Sequence, residues 1–140
     1  MLPEHIFYYE VDSTTHNLLD QEWKNVVPDL IWNPSTIVYT MNISKPTFMI
    51  GYTLLNINSG VCSVKELLIK EAFRHKGFGL QFLSEIEHVA RKCNCHKVTI
   101  KTSEKHVEAL GLYKKAGYTI EATYHNDLGN LTWFRFVKFI

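Results

Sequence analysis

Arg74-His75-Lys76-Gly77-Phe78-Gly79 lies between an apolar run, Leu67-Leu68-Ile69, and a periodic apolar pattern that opens near Gly79. Strand, short basic glycine loop, helix is an arrangement that binds anions. Glycine allows close backbone approach and dihedrals that other residues resist. The N-terminus of the following helix offers free N–H groups and the positive end of its dipole. Arg74, His75 and Lys76 add positive charge at the same place. The six residues fit a glycine turn with solvated charges equally well, so the flanks have to decide.

Downstream, Leu80, Leu83, Ile86, Val89, Ala90 and Cys93 mark one face of a helix, with Ser84, Glu85, His88, Arg91 and Lys92 on the rest. Asn94 suits its end, and Val98-Thr99-Ile100 is a short strand. Upstream, three runs predict an antiparallel meander: Ile37 to Ile43, Thr47 to Ile57 and Val61 to Ile69. They are joined by turns at Ser44-Lys45-Pro46 and Asn58-Ser59-Gly60. A second helix is predicted from about Glu104 to Ala116, and Gly117 fits its end. Thr119 to Tyr124 and Leu131 to Phe139 make a closing hairpin. At the other end, Ile6 to Val11 reads as a first strand, Asp12 and Ser13 as helix caps, and Leu18, Leu19, Glu22, Trp23 and Val26 fall at helical spacing. The fold class is α+β, a mixed central sheet flanked by helices, in a single domain over residues 1–140.

Composition narrows the function classes. A chain of 140 residues with 46% apolar and 21% charged residues suits one ordinary globular domain. A net charge of +1 gives no global reason to expect nucleic acid or an anionic membrane as a partner. No apolar run approaches the ~20 residues of a membrane span. The N-terminal Met1-Leu2-Pro3-Glu4-His5 lacks a signal-peptide pattern. With three cysteines, Cys62, Cys93 and Cys95, this predicts reduced thiols and a cytoplasmic location. Cys93-x-Cys95 is a poor metal pair without a second one, so no metal is expected. His5, His16, His88, His96 and His125 show no ligand spacing and read as surface residues.

The loop is not a P-loop, because no Gly-Lys-Ser/Thr follows at the required spacing. Nor is it a dinucleotide fingerprint, because the third glycine is missing. What remains, R-x-x-G-x-G after a strand, resembles the pyrophosphate loop of the GNAT family of N-acetyltransferases. The segment Ala109-Leu110-Gly111-Leu112-Tyr113-Lys114-Lys115-Ala116-Gly117-Tyr118 resembles the second signature of that family, a Leu-Tyr helix closing with Gly-aromatic. The resemblance covers Ser63 to Tyr118 and implies a GNAT-type domain with acetyl-CoA as cosubstrate and an amine as acceptor.

It also implies roles. Backbone N–H groups of His75, Lys76, Gly77, Phe78, Gly79 and Leu80 would surround the pyrophosphate, with Arg74 and Lys76 adding charge. Leu67-Leu68-Ile69 would splay from the neighbouring strand and pair with the pantetheine arm. A strand N–H there would face the thioester oxygen. Tyr113 would protonate the leaving sulfur, since a free phenol and a free thiol titrate close together, at ~10 and ~8.5. His106 stands where the family usually has an asparagine that contacts the CoA arm. Glu66 is the candidate base, and Glu71 is expected to be solvated. Some relatives that acetylate protein N-termini carry a glutamate where this chain has Lys101, which argues mildly against that acceptor class. The acceptor is left as a small amine or a protein or peptide amine. Trp23 and Trp32 fall in the acceptor-side region but read as core. Trp133-Phe134-Arg135-Phe136 could serve a homodimer or the core. Two other readings stay open: an acyl-CoA-binding module with little transfer, and a protein-interaction domain that uses no CoA.

Overall fold

The computed structural model describes residues 50–140 in full, with the backbone of Val11–Asp12, Ser35–Asn42 and Met49. The sequence-predicted helix around Leu18–Val26 with Trp23, and also Trp32, His5 and His16, lie outside the described residues.

A mixed sheet forms the scaffold. Its strands are β1 (Val11–Asp12), β2 (Ser35–Asn42), β3 (Met49–Asn58), β4 (Val61–Ile69), β5 (Lys97–Ser103), β6 (Thr119–Asp127) and β7 (Leu131–Phe139). Their spatial order is β1-β2-β3-β4-β5-β7-β6. Neighbours are antiparallel except β4 and β5, which run parallel. Parallel strands need a crossover, and helix α1 (Phe78–Lys92) supplies it. Helix α2 (Val107–Lys115) then links β5 to β6. No described helix is long and apolar enough to cross a membrane.

Both helices cover the same sheet face. Leu83, Ile86, Val89 and Ala90 of α1 and Tyr113 of α2 are buried against Leu55, Ile57, Cys62, Val64, Val98, Ile100 and Phe136 from the strands. Phe136 is fully buried, and truncating such a phenylalanine to alanine costs roughly 3–5 kcal/mol. A second cluster forms where the basic loop folds back. There Ile50 and Phe82 are buried beneath Leu67, Ile69, Phe73 and Phe78.

Three details depart from the sequence-based reading. Phe82 and Glu87 are buried on α1, whereas Leu80 is only half-buried and Cys93 is exposed at the helix end. Helix α2 begins at Val107 rather than near Glu104. The three residues before it turn instead: Glu104 N–H donates to Thr132 O at 2.9 Å and His106 N–H to Ser103 O at 3.1 Å. Strand β5 is longer than Val98–Ile100 and runs to Ser103.

One irregularity shapes the site. Leu54 pairs with Glu66 but Leu55 pairs with Val64, so Lys65 is an extra residue in β4. A bulge of this kind bends a strand and reverses which residues face the core. Cys62 and Val64 are buried before it. After it Leu67 and Ile69 turn to the helix side, while Glu66 and Leu68 are exposed on the opposite face.

Candidate active site

The parallel β4–β5 ladder is short. It runs from Val61–Lys97 to Val64–Ile100 and stops there. Beyond it β4 continues to Ile69 and β5 to Ser103 without pairing with each other, although each keeps its other neighbour. The stop coincides with the bulge at Lys65. Strand edges without a partner expose N–H and C=O groups that an extended ligand can pair with. Leu67, Leu68 and Ile69 form one wall of this opening, and Thr102 and Ser103 belong to the strand opposite.

Strand β4 feeds the basic loop through a 3-10 turn, Glu71–Phe73. His75 and Gly77 take positive φ, 59° and 87°. At Gly77 a Cβ would meet no atom of the described residues within 4 Å, so the left-handed backbone there is what favours glycine. Gly79 differs: a Cβ would lie 2.9 Å from Leu112 Cδ2, so this glycine lets α1 pack closely on α2. The first helical bond of α1 is Gln81 N–H to Gly77 O at 3.2 Å. Among the described residues, the N–H groups of His75, Lys76, Gly77, Phe78, Gly79 and Leu80 have no partner. Such a row of amides, with no acidic residue in the first helical turn, suits an anion.

The side chains of the loop are tethered. Arg74 Nε donates to Ile69 O at 2.9 Å, which pins the loop to the end of β4 and leaves the outer guanidinium nitrogens exposed. Lys76 Nζ lies 5.9 Å from the Phe73 ring centre. His75 Nε2 lies 3.3 Å from Glu108 Oε1 in an exposed contact between the loop and α2.

Tyr113 stands at the fork of the strands. Its ring packs 5.5 Å from that of Phe136. Phe136 pairs with Ile100, the last residue of the β4–β5 ladder. The ring is buried, and among the described residues its hydroxyl has no hydrogen-bond partner. Burial pushes the phenol up to about 12. Nearby Tyr118 is a useful contrast. It is equally buried, but its hydroxyl donates to Glu87 Oε2 at 3.3 Å. Glu87 is held in turn by Lys138 Nζ at 2.8 Å and Arg91 Nη2 at 3.8 Å. Tyr118 is thus part of a closed structural network. Tyr113 is a buried donor without a partner among the described residues, and a buried hydroxyl usually has one.

Glu66 lies just past the bulge, on the sheet face away from both helices. Its Oε2 accepts the Tyr52 hydroxyl at 2.7 Å, and its carbonyl accepts the Thr53 hydroxyl at 2.8 Å. His106 precedes α2, with Nδ1 3.2 Å from Thr102 Oγ1 and 3.3 Å from Ser103 Oγ. Its ring meets the edge of Trp133 at 6.5 Å. Among the described residues no cluster of His, Cys, Asp or Glu could hold a metal.

The model of the acetyltransferase (GNAT) family matches residues 4–118. The chain belongs to the GNAT acetyltransferase family. It is 29% identical over 75 residues to YvbK of Bacillus subtilis (strain 168), an uncharacterised N-acetyltransferase, covering 54% of this chain and 48% of that protein. The chain spans about half the length of this curated relative. An acetyltransferase from Elizabethkingia anophelis with acetyl-CoA bound shares the fold at TM-score 0.73 and 17% identity, covering 99% of each chain. A Bacillus subtilis acetyltransferase in complex with CoA superposes at TM-score 0.69 and 19% identity, covering 96% of this chain and 99% of that one.

In this GNAT domain the sequence-predicted residues fall into three groups. Arg74 through Leu80 form the loop and helix start, and Leu67, Leu68 and Ile69 form the strand beside the opening. Tyr113 of α2 and His106, the residue just before that helix, approach the opening on the helix face of the sheet. Glu66 approaches from the other face. Sequence reasoning missed Tyr52, whose contact with Glu66 depends on the register of β3 against β4. It also missed the Glu87–Lys138–Tyr118 network, because Glu87 belongs to no apolar pattern.

Proposed function

We propose that this GNAT domain transfers the acetyl group of acetyl-CoA to an amine by direct attack in a ternary complex. The observation that carries the proposal is the unpaired opening between β4 and β5, which leads directly into a loop of unpartnered amides. The loop amides would take the pyrophosphate, with Arg74 and Lys76 adding charge. The free edge of β4 at Leu67–Ile69 would pair with the pantetheine arm.

The two candidate proton-handling groups lie on opposite faces of the sheet, which suits this reaction. Glu66 would accept a proton from the incoming ammonium, since an alkyl amine is mostly protonated near neutral pH. The neutral nitrogen attacks the thioester carbon and the carbonyl becomes an oxyanion. A strand N–H facing that oxygen is worth roughly 3 kcal/mol. The C–S bond then breaks, and sulfur takes up a proton as nitrogen loses one.

Tyr113 is the donor to sulfur. Complete proton transfer from a phenol near 12 to a thiolate whose ordinary value is ~8.5 would be uphill by about 5 kcal/mol. Desolvation in the same pocket raises the thiol as well and narrows that gap. Tyr113 therefore acts first as an O–H donor to the developing negative charge, and its phenol stays protonated through the neutral range. His106 would contact the CoA arm through the ring nitrogen not engaged by Thr102 and Ser103. A cytoplasmic setting belongs to the same proposal, supported by three free thiols, of which Cys62 is pushed up to about 12 by burial.

Thermal unfolding with acetyl-CoA, CoA and ATP tests the cofactor. A ligand at ~100 times its dissociation constant adds ~2.7 kcal/mol to stability. A rise with both CoA forms and none with ATP is expected. Thiol release from acetyl-CoA with a panel of small, peptide and polyamines then identifies the acceptor. No rise with either CoA form overturns the loop assignment. A rise without thiol release for any amine favours a CoA-binding module.

A further inference from the structure

Glu66 is an exposed side chain held unusually firmly. Tyr52 and Leu68 are register partners, as are Leu54 and Glu66. Tyr52 and Glu66 are therefore diagonal neighbours on the face opposite the helices, close enough for long side chains to interact. The Tyr52 hydroxyl donates to Oε2 at 2.7 Å. From the buried side, Thr53 holds the Glu66 carbonyl at 2.8 Å. Backbone and carboxylate are each anchored by β3. Among the described residues Oε1 has no partner, and Tyr52 is the titratable group that touches the carboxylate from β3. Lys65, beside it in the chain, makes no ion pair with it, and β5 is separated from it by the opening. Leu68, 42% exposed, lies two residues further along the same face.

We propose that Tyr52 is a positioning residue that fixes Glu66 so that Oε1 receives the ammonium of an acceptor whose apolar stem lies along Leu68. This rests on the acetyl-transfer reading of the site and narrows its acceptor to a cationic amine on an apolar stem. The contact with Glu66 is also the leading reason that the Tyr52 phenol is raised, so an ammonium that offsets the carboxylate charge would alter the environment of Tyr52.

Carbon-13 at tyrosine Cζ reads this directly, with the Tyr52 resonance assigned by its loss in Tyr52→Phe. At neutral pH, n-butylammonium chloride is expected to shift that resonance beyond the effect of matched sodium chloride, and n-butanol is not. In Glu66→Gln the ammonium response is expected to disappear while the folded spectrum persists. A purely structural hydrogen bond would not distinguish amine from alcohol. An equal response to n-butanol, a response that survives in Glu66→Gln, or no ammonium-specific response overturns the proposal. The rise in melting temperature with CoA is read on the same samples. Its absence removes the acetyl-transfer reading, and the Tyr52 resonance still decides whether the pair binds an ammonium.

Discussion

Replacing Tyr113 with phenylalanine should move activity and stability in opposite directions. The ring stays in place against Phe136 and Tyr118, 5.5 and 6.3 Å away, so packing is kept. The hydroxyl is buried without a partner among the described residues, and its removal relieves a desolvation cost of about 1 kcal/mol or more. With an unfolding entropy of ~2.1 cal/mol/K per residue, 1 kcal/mol in a 140-residue chain corresponds to about 3 °C. Tyr113→Phe should therefore melt about 3 °C higher. A hydrogen bond to a charged group is worth about 1.5–3 kcal/mol, so kcat should fall roughly 10- to 150-fold, with little change in KM for acetyl-CoA. Tyr118→Phe is the control. It breaks the bond to Glu87 and should lower the melting temperature while leaving kcat within a few-fold. Differential scanning calorimetry and steady-state thiol release decide between the two. A Tyr113→Phe variant with unchanged kcat would refute the donor role, and one that melts several degrees lower would show that its hydroxyl has a structural partner.

Other perturbations separate the remaining parts. Gly77→Ala places a side chain at φ 87° and should cost about 1–2 kcal/mol, and acetyl-CoA KM should rise more than kcat falls. Gly79→Val crowds Leu112 and should cost about 1–3 kcal/mol, and Leu112→Ala in the same chain should recover part of the loss in urea unfolding. Glu87→Gln strands the partly exposed Lys138 next to the carbonyl of Ala116 and should destabilise by about 1–3 kcal/mol, measured by urea denaturation without a change in acetyl-CoA KM. Stability should also fall at alkaline pH. Cys62 and Tyr113 are each raised to about 12 in the folded state, so their contributions are complete below the ordinary thiol and phenol values. These contributions are lost as pH climbs from about 9 toward 12, and Cys62→Ala should flatten the first part of that decline.

Local order made much of this protein readable from its residues. Helix α1 announced itself because its apolar residues recur at helical spacing over several turns. The meander was legible from alternation and its glycine and proline turns. The fork was not. It depends on a single extra residue, Lys65, whose placement is settled by pairing with β3 rather than by its own chemistry. Phe82 escaped notice because its partners, Ile50, Phe73 and Phe78, are brought together by the loop folding back. The residues predict too early a start for α2 because Glu104 and Lys105 are good helix formers, yet the Glu104 N–H is taken by Thr132 of β7. Tyr113 could be singled out by the motif around it, but that its hydroxyl is unpartnered while that of Tyr118 is not is a matter of tertiary packing.

If the loop and the β4–β5 opening together hold CoA, amide hydrogen exchange with and without CoA shows it residue by residue. Amides without a partner exchange fast until a ligand accepts from them. CoA is expected to slow exchange at His75 through Leu80 and along Leu67–Ile69, with little change in β6 and β7. Protection confined to other strands, or none at the loop under saturating CoA, would contradict it.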